Sequence, residues 1–300
     1  MKRFFICAAA AIVALASCSK TEVVNTSAPE EIGFKAVTGV MTKDVQTTAD
    51  FEQDMGVIAY QSGLTDVYFA NAKFTDETVD GVTTWNGVTT KYWPIDSKLD
   101  FFVYSPYQET GVTPDPTNKK LTVVVPDNGT AQKDYLYSNA YIIEKDKTSG
   151  NIPVAFDHAL AYVTVKFSGE DVITLSDAKL NNTYQSGTYT VTYNPTTSVA
   201  WTAQGTSTNL DLEEGALTSD YNTSWLVVPG STGNTITFDY TISGMTGTAI
   251  SKEIELNESW QAGYHYTYNV TIGANEIKFT VQSVTGWSTG DTTGTNTAIQ

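Results

Sequence analysis

Alternating apolar and polar residues recur along most of the chain and predict β-strands. The first such stretch begins at residue 31, where Ile32, Phe34 and Ala36 share one face of an extended chain. Few stretches of any length carry the 3.6-residue apolar period of a helix, so the sequence predicts an all-β fold. Further strands are predicted at residues 55–60, 67–74, 82–90, 121–125, 135–143, 161–167, 172–180, 187–193, 225–228, 235–242 and 249–256.

Two stretches allow more specific predictions than a single half-buried strand. Residues 99–107 form an almost continuous apolar and aromatic run, which predicts a strand covered on both faces. Residues 264–272 alternate most regularly, and a short turn then leads to Ile277, Phe279 and Val281 on a common face. This arrangement predicts a hairpin near the end of the fold.

The first 17 residues have the layout of a secretory signal. Lys2 and Arg3 precede an apolar run at residues 4–15, which is too short to cross a bilayer. The sequence Leu15-Ala16-Ser17-Cys18 resembles a bacterial lipobox, and that resemblance implies that Cys18 becomes the acylated first residue of the mature chain. Two or three acyl chains would hold such a protein durably in a membrane. The polar residues 18–30 are predicted to be a tether.

Composition excludes several classes of function. Removal of the signal leaves 15 basic residues against 33 acidic ones, a formal charge of −18, so nucleic acid is not an expected partner. Both cysteines fall in the signal or at the lipidation position, which leaves none for an intrachain disulfide or a thiolate metal site. No cofactor is expected, and the fold must be held together by its apolar core.

The length of the mature chain favours two domains. A charged, glycine-containing segment at residues 144–150 is the predicted boundary. It divides the chain into an N-terminal β-sandwich at residues 31–150 and a C-terminal β-sandwich at 151–287. Residues 288–300 are predicted to form a polar tail.

The sequence gives little support for a catalytic site. Residues 286–290 match the G-x-S-x-G pattern, but no histidine follows them and no room remains for the helix of a nucleophile elbow. Asp157 and His158 are strand neighbours that face opposite sides, so we expect a structural histidine there. We expect His265 to be exposed or paired with a cross-strand neighbour. The sequence therefore predicts no catalytic residue and no enzyme.

Residue types and their spacing also bear on metal and carbohydrate binding. Two histidines without a thiolate do not favour a transition-metal site, and the acidic residues 211–214 lack the glycine-punctuated spacing of a calcium loop. No metal site is therefore predicted. Six tryptophans and seventeen tyrosines are compatible with a sugar-stacking surface, which leaves a carbohydrate-binding surface lipoprotein as an alternative function.

Several motifs, taken in order, resemble the Mfa-like fimbrillin family of Bacteroidales. They are the lipobox, the strand at Ile32-Gly33-Phe34, residues 56–60, residues 92–94, residues 99–107, residues 156–160 and residues 260–266. The resemblance covers nearly the whole mature chain. It implies two tandem transthyretin-like β-sandwiches and a subunit of type V fimbriae that serves adhesion at the cell surface. The implied partners are other fimbrial subunits, the outer membrane through the lipid anchor, and a host protein or glycan.

The resemblance also implies a route of assembly. In this family a protease removes the lipidated first strand, and the C-terminal strand of a neighbouring subunit fills the vacated groove. The displaced residues here would be Ile32, Phe34, Ala36 and Val40. The family cleaves after an arginine, whereas this chain carries Lys43 at the matching position and has no arginine after Arg3.

Two questions about assembly therefore stay open in the sequence. Either a lysine-accepting protease cuts after Lys43, or the subunit keeps its anchor as a permanently anchored or tip component. The apolar run at residues 276–287, with Ile277, Phe279 and Val281, is the candidate donor strand. The alternative is that this run is simply the last strand of its own sandwich.

Overall fold

The prediction of an all-β fold is confirmed by the structure, a computed structural model. It describes residues 29–36, 54–79, 82–127, 132–145, 150–170, 172–194, 196–203, 205–273, 276–286 and 295–299. Every regular element in these ranges is a strand. Within them, no helix is long and apolar enough to span a membrane.

The strands follow the predicted pattern closely, and several short ones are added. Their bounds are β1 (Gly33–Ala36), β2 (Met55–Gln61), β3 (Val67–Val79), β4 (Val82–Gly87), β5 (Leu99–Ser105), β6 (Val112–Asp115), β7 (Lys120–Val125), β8 (Leu136–Ser138), β9 (Ile142–Lys145), β10 (Ile152–Val154), β11 (Phe156–His158), β12 (Ala161–Gly169), β13 (Ile173–Thr183), β14 (Gly187–Thr192), β15 (Ser198–Ala203), β16 (Thr208–Asp211), β17 (Gly215–Ala216), β18 (Tyr221–Val227), β19 (Asn234–Ile242), β20 (Ile250–Leu256), β21 (Tyr264–Ile272), β22 (Ile277–Gly286) and β23 (Thr295–Ile299).

The N-terminal part of the fold is built on a nine-stranded sheet. Its strands lie in the order β10-β1-β4-β3-β2-β5-β8-β11, and β9 also pairs with β5. One apolar core consists entirely of residues from these strands and the loops between them, so the sheet curls around its own side chains. Register shifts between β2 and β3 accompany this curvature.

Strand β5 is buried on both faces, as the sequence predicts. Phe101 and Val103 contribute to the core inside the curled sheet, whereas Phe102 and Tyr104 contribute to a second core. That second core is closed by a four-stranded sheet in the order β15-β14-β7-β6. Gly56 allows this packing, because a β-carbon at that position would overlap the ring of Tyr104.

Strand pairing crosses the predicted domain boundary at residue 150. Strands β10 and β11 follow that residue, yet they pair with β1 and β8 of the nine-stranded sheet. Strand β14 pairs with β7 along its full length, and β15 pairs with the other side of β14. The strands on both sides of this boundary, β9 before it and β10 after it, therefore belong to the same sheet.

The remaining strands form a second sandwich. One sheet has the order β18-β12-β21-β22-β23, the other has the order β16-β13-β19-β20, and β17 pairs with β13. The core between them is closed by Trp260, whose indole Nε1 donates to the Tyr268 hydroxyl at 2.9 Å. Tyr268 stacks in turn on Phe279 with ring centroids 5.9 Å apart. The predicted hairpin of residues 264–281 is thus confirmed as β21 and β22.

Two buried tyrosines allow the packing of the second core to be tested. Tyr104 donates its hydroxyl to Asn71 Oδ1 at 2.7 Å, whereas the buried Tyr189 hydroxyl has no hydrogen-bond partner in the described part of the chain. We expect Tyr104→Phe to lower the free energy of unfolding by about 1 kcal/mol, because it leaves polar groups unpaired. Tyr189→Phe should leave that free energy unchanged or raise it, as measured by urea denaturation at pH 7. An equal loss in both variants would contradict the assigned environments.

Candidate functional site

The first strand occupies an interior position in the nine-stranded sheet. Strand β1 pairs in parallel with β10, with Phe34 opposite Ile152 and Ala36 opposite Val154. On its other side it pairs antiparallel with β4, where Phe34 lies opposite Trp85. The pairing continues upstream of β1, since the Ile32 amide donates to the Lys91 carbonyl at 2.7 Å. Removal of β1 would therefore open a slot between two strands.

Apolar side chains of the first strand fill the core beneath this slot. Phe34 is fully buried, and its ring packs edge-on against Phe74 at 5.2 Å and Phe101 at 5.5 Å between centroids. Ile32 is buried on the same face, whereas Lys35 is exposed. The predicted inward face is confirmed for Ile32 and Phe34. The side chain of Ala36, and the whole of Val40, Lys43 and Cys18, lie outside the described residues.

At Gly33 the backbone of β1 packs closely against the side chains of Asn151 and Asn86. A β-carbon at this position would collide with the side-chain amide of Asn151 and would approach Asn86 Oδ1 at 3.1 Å. The residue is thus suited to a strand squeezed between β4 and the segment leading into β10. The alternation of Ile152 and Val154 was the only sequence signal for this partner. Nothing in that signal indicated that these residues would pair with β1.

Strand β10 obtains its strand pairing from β1. It is the terminal strand of the sheet order, and β1 is the only strand with which it pairs in the described part of the chain. Pro153 is compatible with this position, because a proline lacks an amide donor and is tolerated at an edge. Ile152 and Val154 are buried in the same core as Phe34. The first strand thus supplies the strand pairing of β10, while β11, one residue further along the chain, pairs with β8.

The candidate donor residues lie in their own sandwich. Ile277 and Phe279 of β22 are buried, and Val281 packs against the same core. Strand β22 pairs with β21 along its whole length and with β23 on its other side. Residues 295–299, within the predicted polar tail, form β23. Backbone pairing to a preceding strand does not require apolar side chains, so composition alone missed this element.

The histidines take structural positions, as expected. His158 is buried on β11, and its Nδ1 lies 2.7 Å from Oδ2 of the buried Asp134. The adjacent Asp157 is only half-buried and is not part of this pair. His265 packs against Tyr162 and places Nε2 at 2.9 Å from the Thr164 hydroxyl. Asp134 was missed as the partner of His158 because 24 residues separate the two.

The acidic segment after β16 is tied to the protein backbone. Glu214 Oε2 accepts from the Ala178 amide at 3.2 Å, and Glu213 Oε2 accepts from the Asn222 amide at 3.3 Å. Leu212 between them is buried. Across the described ranges, no group of three or more potential metal-ligating side chains was found. The arrangement thus explains these carboxylates as local structural contacts.

The tryptophans in the described ranges are packed into the fold. Trp85, Trp93 and Trp260 are buried, and Trp201 and Trp225 are half-buried with their indole nitrogens bonded to the backbone carbonyls of Ala159 and Asp211. Ser288 of the G-x-S-x-G match and Trp287 lie outside the described residues. A flat exposed tryptophan platform for sugar stacking is thus not found in this part of the chain.

Comparisons with known proteins relate this architecture to a family. A family model described as fimbrillin-like matches residues 23–287. A search of curated proteins gives no significant match.

Three solved structures share the fold at low sequence identity. A candidate cell adhesion protein from Bacteroides uniformis is 21% identical with a TM-score of 0.58, over 86% of this chain and 98% of that one. Another from Bacteroides ovatus is 15% identical with a TM-score of 0.55, over 88% and 99%. A fimbrial protein from Bacteroides vulgatus is 18% identical with a TM-score of 0.52, over 86% and 99%.

The contribution of the first strand can be measured with two adjacent residues. Phe34→Ala removes a fully buried ring, so we expect it to lower the free energy of unfolding by about 3 to 5 kcal/mol. Lys35→Ala, on the exposed face of the same strand, should change it by no more than about 0.5 kcal/mol. Urea denaturation of the mature chain measures both values. Similar small losses in the two variants would show that β1 does not hold the core.

The half-buried carboxyl of Asp157 gives a dependence on pH. Burial raises the pKa of Asp157 above its ordinary value of 3.8, and the neighbouring His158 opposes this rise. A raised pKa means that the folded protein binds this proton more tightly than the unfolded chain. The associated stability is present below the ordinary pKa and is lost as pH rises through the folded pKa.

Asp157→Asn should therefore raise the thermal midpoint at pH 7, and the gain should shrink as pH falls toward 3.8. Asp96→Asn, at an exposed position before β5, serves as the control and should change the midpoint little at either pH. A gain that persists unchanged at low pH would refute this assignment.

Proposed function

Since the chain belongs to the fimbrillin-like family, we propose that it is a fimbrial subunit exported as a lipoprotein and assembled by strand exchange, serving adhesion. Its family is one of structural, non-enzymatic proteins, and it implies location in a cell-surface fimbrium and assembly with other fimbrial subunits. The proposal adds acylation at Cys18, anchoring in the outer membrane, loss of the first strand after Lys43, and its replacement by a strand from a neighbour. A host protein or glycan would be the target of adhesion.

The single observation that carries the proposal is the interior position of β1. An edge strand can leave a sheet with modest disturbance, whereas loss of β1 separates β10 from β4. It also withdraws Ile32 and Phe34 from the core. Burial of each large apolar side chain is worth roughly 1.5 to 3 kcal/mol, and a whole domain is stable by about 5 to 15 kcal/mol. Filling the emptied slot with another strand would therefore be strongly favourable.

The slot specifies the chemistry of a replacement strand. A donor that runs in the direction of β1 would be parallel to β10 and antiparallel to β4. It needs apolar side chains two residues apart to occupy the places of Ile32 and Phe34. Main-chain hydrogen bonds to both walls would supply affinity, and these alternate side chains would supply specificity.

Two segments of the chain are candidates for donation. Strand β22 carries the required alternation at Ile277, Phe279 and Val281, but it would have to separate from β21 and leave its own core. Strand β23 is terminal in its sheet and pairs only with β22 within the described ranges, so its release would break fewer backbone contacts. We retain β22 as the proposed donor because of its side chains, with β23 as the competing segment.

The proposed architecture comprises two tandem transthyretin-like β-sandwiches. The strands after residue 160, apart from β14 and β15, supply one complete sandwich core, and the nine- and four-stranded sheets supply the rest. The domain boundary at residue 150 stays a prediction. Strands β10, β11 and β14 follow that residue in the sequence but pair with strands that precede it. Residues 18–30 would then connect the lipid anchor to the first strand.

A permanently anchored or tip component is the second candidate. Its specific support is Lys43, which stands where the resembled family is cleaved after arginine. If no protease cuts there, the lipid at Cys18 stays attached to β1 and the slot stays filled. Mass spectrometry of the native N-terminus separates the two candidates. An acylated Cys18 in assembled material supports anchoring, and an N-terminus at Asp44 supports exchange.

Processing at Lys43 can be tested on purified protein. Limited digestion with a lysine-specific protease should yield a chain that begins at Asp44, followed by oligomers that resist SDS. Lys43→Gln should keep the first strand and remain monomeric. Lys35→Gln changes the exposed lysine within β1 and should assemble like the unaltered chain. Cleavage after Lys43 without oligomers at any concentration would refute polymerisation by strand exchange.

A further inference from the structure

Five exposed apolar residues form a surface at one end of the nine-stranded sheet. Ile95 is 97% exposed, and Leu64 and Val67 are each more than half exposed. Two exposed tyrosines complete the group. We refer to these residues as the apolar end surface: Leu64, Val67, Tyr68, Tyr92 and Ile95. Single exposed apolar residues are ordinary, but a group of this kind marks an interaction surface.

Backbone contacts place these residues at the same end of the sheet. The turn after β2 meets the loop before β5, where the Ser62 amide donates to the Lys98 carbonyl at 2.9 Å. Val67 begins β3 opposite Tyr60, at the end of β2. The Tyr68 hydroxyl donates to the Tyr92 carbonyl at 2.8 Å, which joins the start of β3 to the loop that carries Ile95.

The chain enters the fold at this same surface. Glu31 forms an isolated antiparallel bridge with Tyr92, and the Trp93 amide donates to the Glu30 carbonyl at 2.9 Å. Pro29 follows Cys18 by eleven residues. Such a segment reaches at most about 40 Å when extended. As a flexible coil its ends would lie about 20 Å apart. A lipid on Cys18 would therefore keep the apolar end surface near the membrane.

The charged residues around the apolar end surface are of both signs, so they favour neither a cationic nor an anionic partner strongly. Lys91 and Lys98 lie beside Tyr92 and Ile95 in the same loop, and Asp66 and Asp96 lie among them. Glu31 adds a further carboxylate at the point of entry. Apolar contact must therefore supply the affinity. Tyrosine suits this role because its ring is apolar while its hydroxyl stays hydrated at a membrane interface.

We infer that the apolar end surface docks on the lipid surface to which the chain is anchored. This inference rests on the lipid anchor in the proposed function. A patch of a few side chains binds lipid weakly by itself, but a short tether raises its effective concentration at the membrane. Docking would hold the start of β1 against the membrane until the first strand is cut away. Release of the anchor would then free the surface.

A tethered and labelled protein tests the docking directly. The mature chain carries Cys18→Ser and an N-terminal hexahistidine tag, which binds nickel-chelating lipid in phosphatidylcholine vesicles. A single cysteine for an environment-sensitive NBD label is placed by Ile95→Cys, or by Met245→Cys as the control. Met245 is 65% exposed in the turn after β19, a strand of a different sheet.

Docking predicts a blue shift of the NBD emission at position 95 and quenching by nitroxide lipid, with neither effect at position 245. The double substitution Leu64→Glu with Val67→Glu should abolish both effects at position 95 while the tag still holds the protein on the vesicle. Equal emission at the two positions would overturn the inference. So would a shift at position 95 that grows with protein concentration without vesicles, because it would indicate contact between subunits.

The tag replaces the native lipid, so this experiment requires neither acylation of Cys18 nor strand exchange. A negative result would therefore overturn the docking surface and leave the proposed fimbrial role untouched. Conversely, loss of polymerisation after cleavage at Lys43 would refute strand exchange and would not alter the NBD result.

Discussion

The pairing of β1 with both β10 and β4 is the constraint on which the N-terminal part of the structure depends. Phe34 is fully buried between Phe74 and Phe101, and β10 gains its strand pairing in the described ranges from β1 alone. A strand that is both a core element and the link to an edge strand is costly to remove. The same property makes it a strong site for an incoming strand, since every group it satisfies would be left open.

The walls of this slot are held by contacts that do not involve β1. Strand β10 continues into β11, which pairs with β8, and the Asn139 amide donates to the Ala155 carbonyl at 2.9 Å between them. Strand β4 pairs with β3 along its length. The crossing of residue 150 thus has a structural consequence: strands from the second half of the sequence hold one wall of the slot in place.

The polar groups that first suggested chemistry are explained by local structure. His158 pairs with Asp134 inside the sheet region that carries β11, and His265 bonds to Thr164 across neighbouring strands. The carboxylates after β16 accept bonds from backbone amides. The family assignment of a structural fimbrial protein agrees with these structural roles.

Local sequence alone determined most of the longer strands and their buried faces, because side chains alternate with a period of two wherever one face packs on a core. Thus Ile32 and Phe34 were identified as inward-facing, and residues 99–107 as covered on both sides, which holds over Leu99–Ser105. Only the tertiary structure decided which strands are neighbours. Phe34 lies opposite Ile152, and Tyr189 lies opposite Val123, although long stretches of sequence separate them. Any alternating strand offers the same backbone donors and acceptors, so packing of the whole core selects the partner and the local pattern does not.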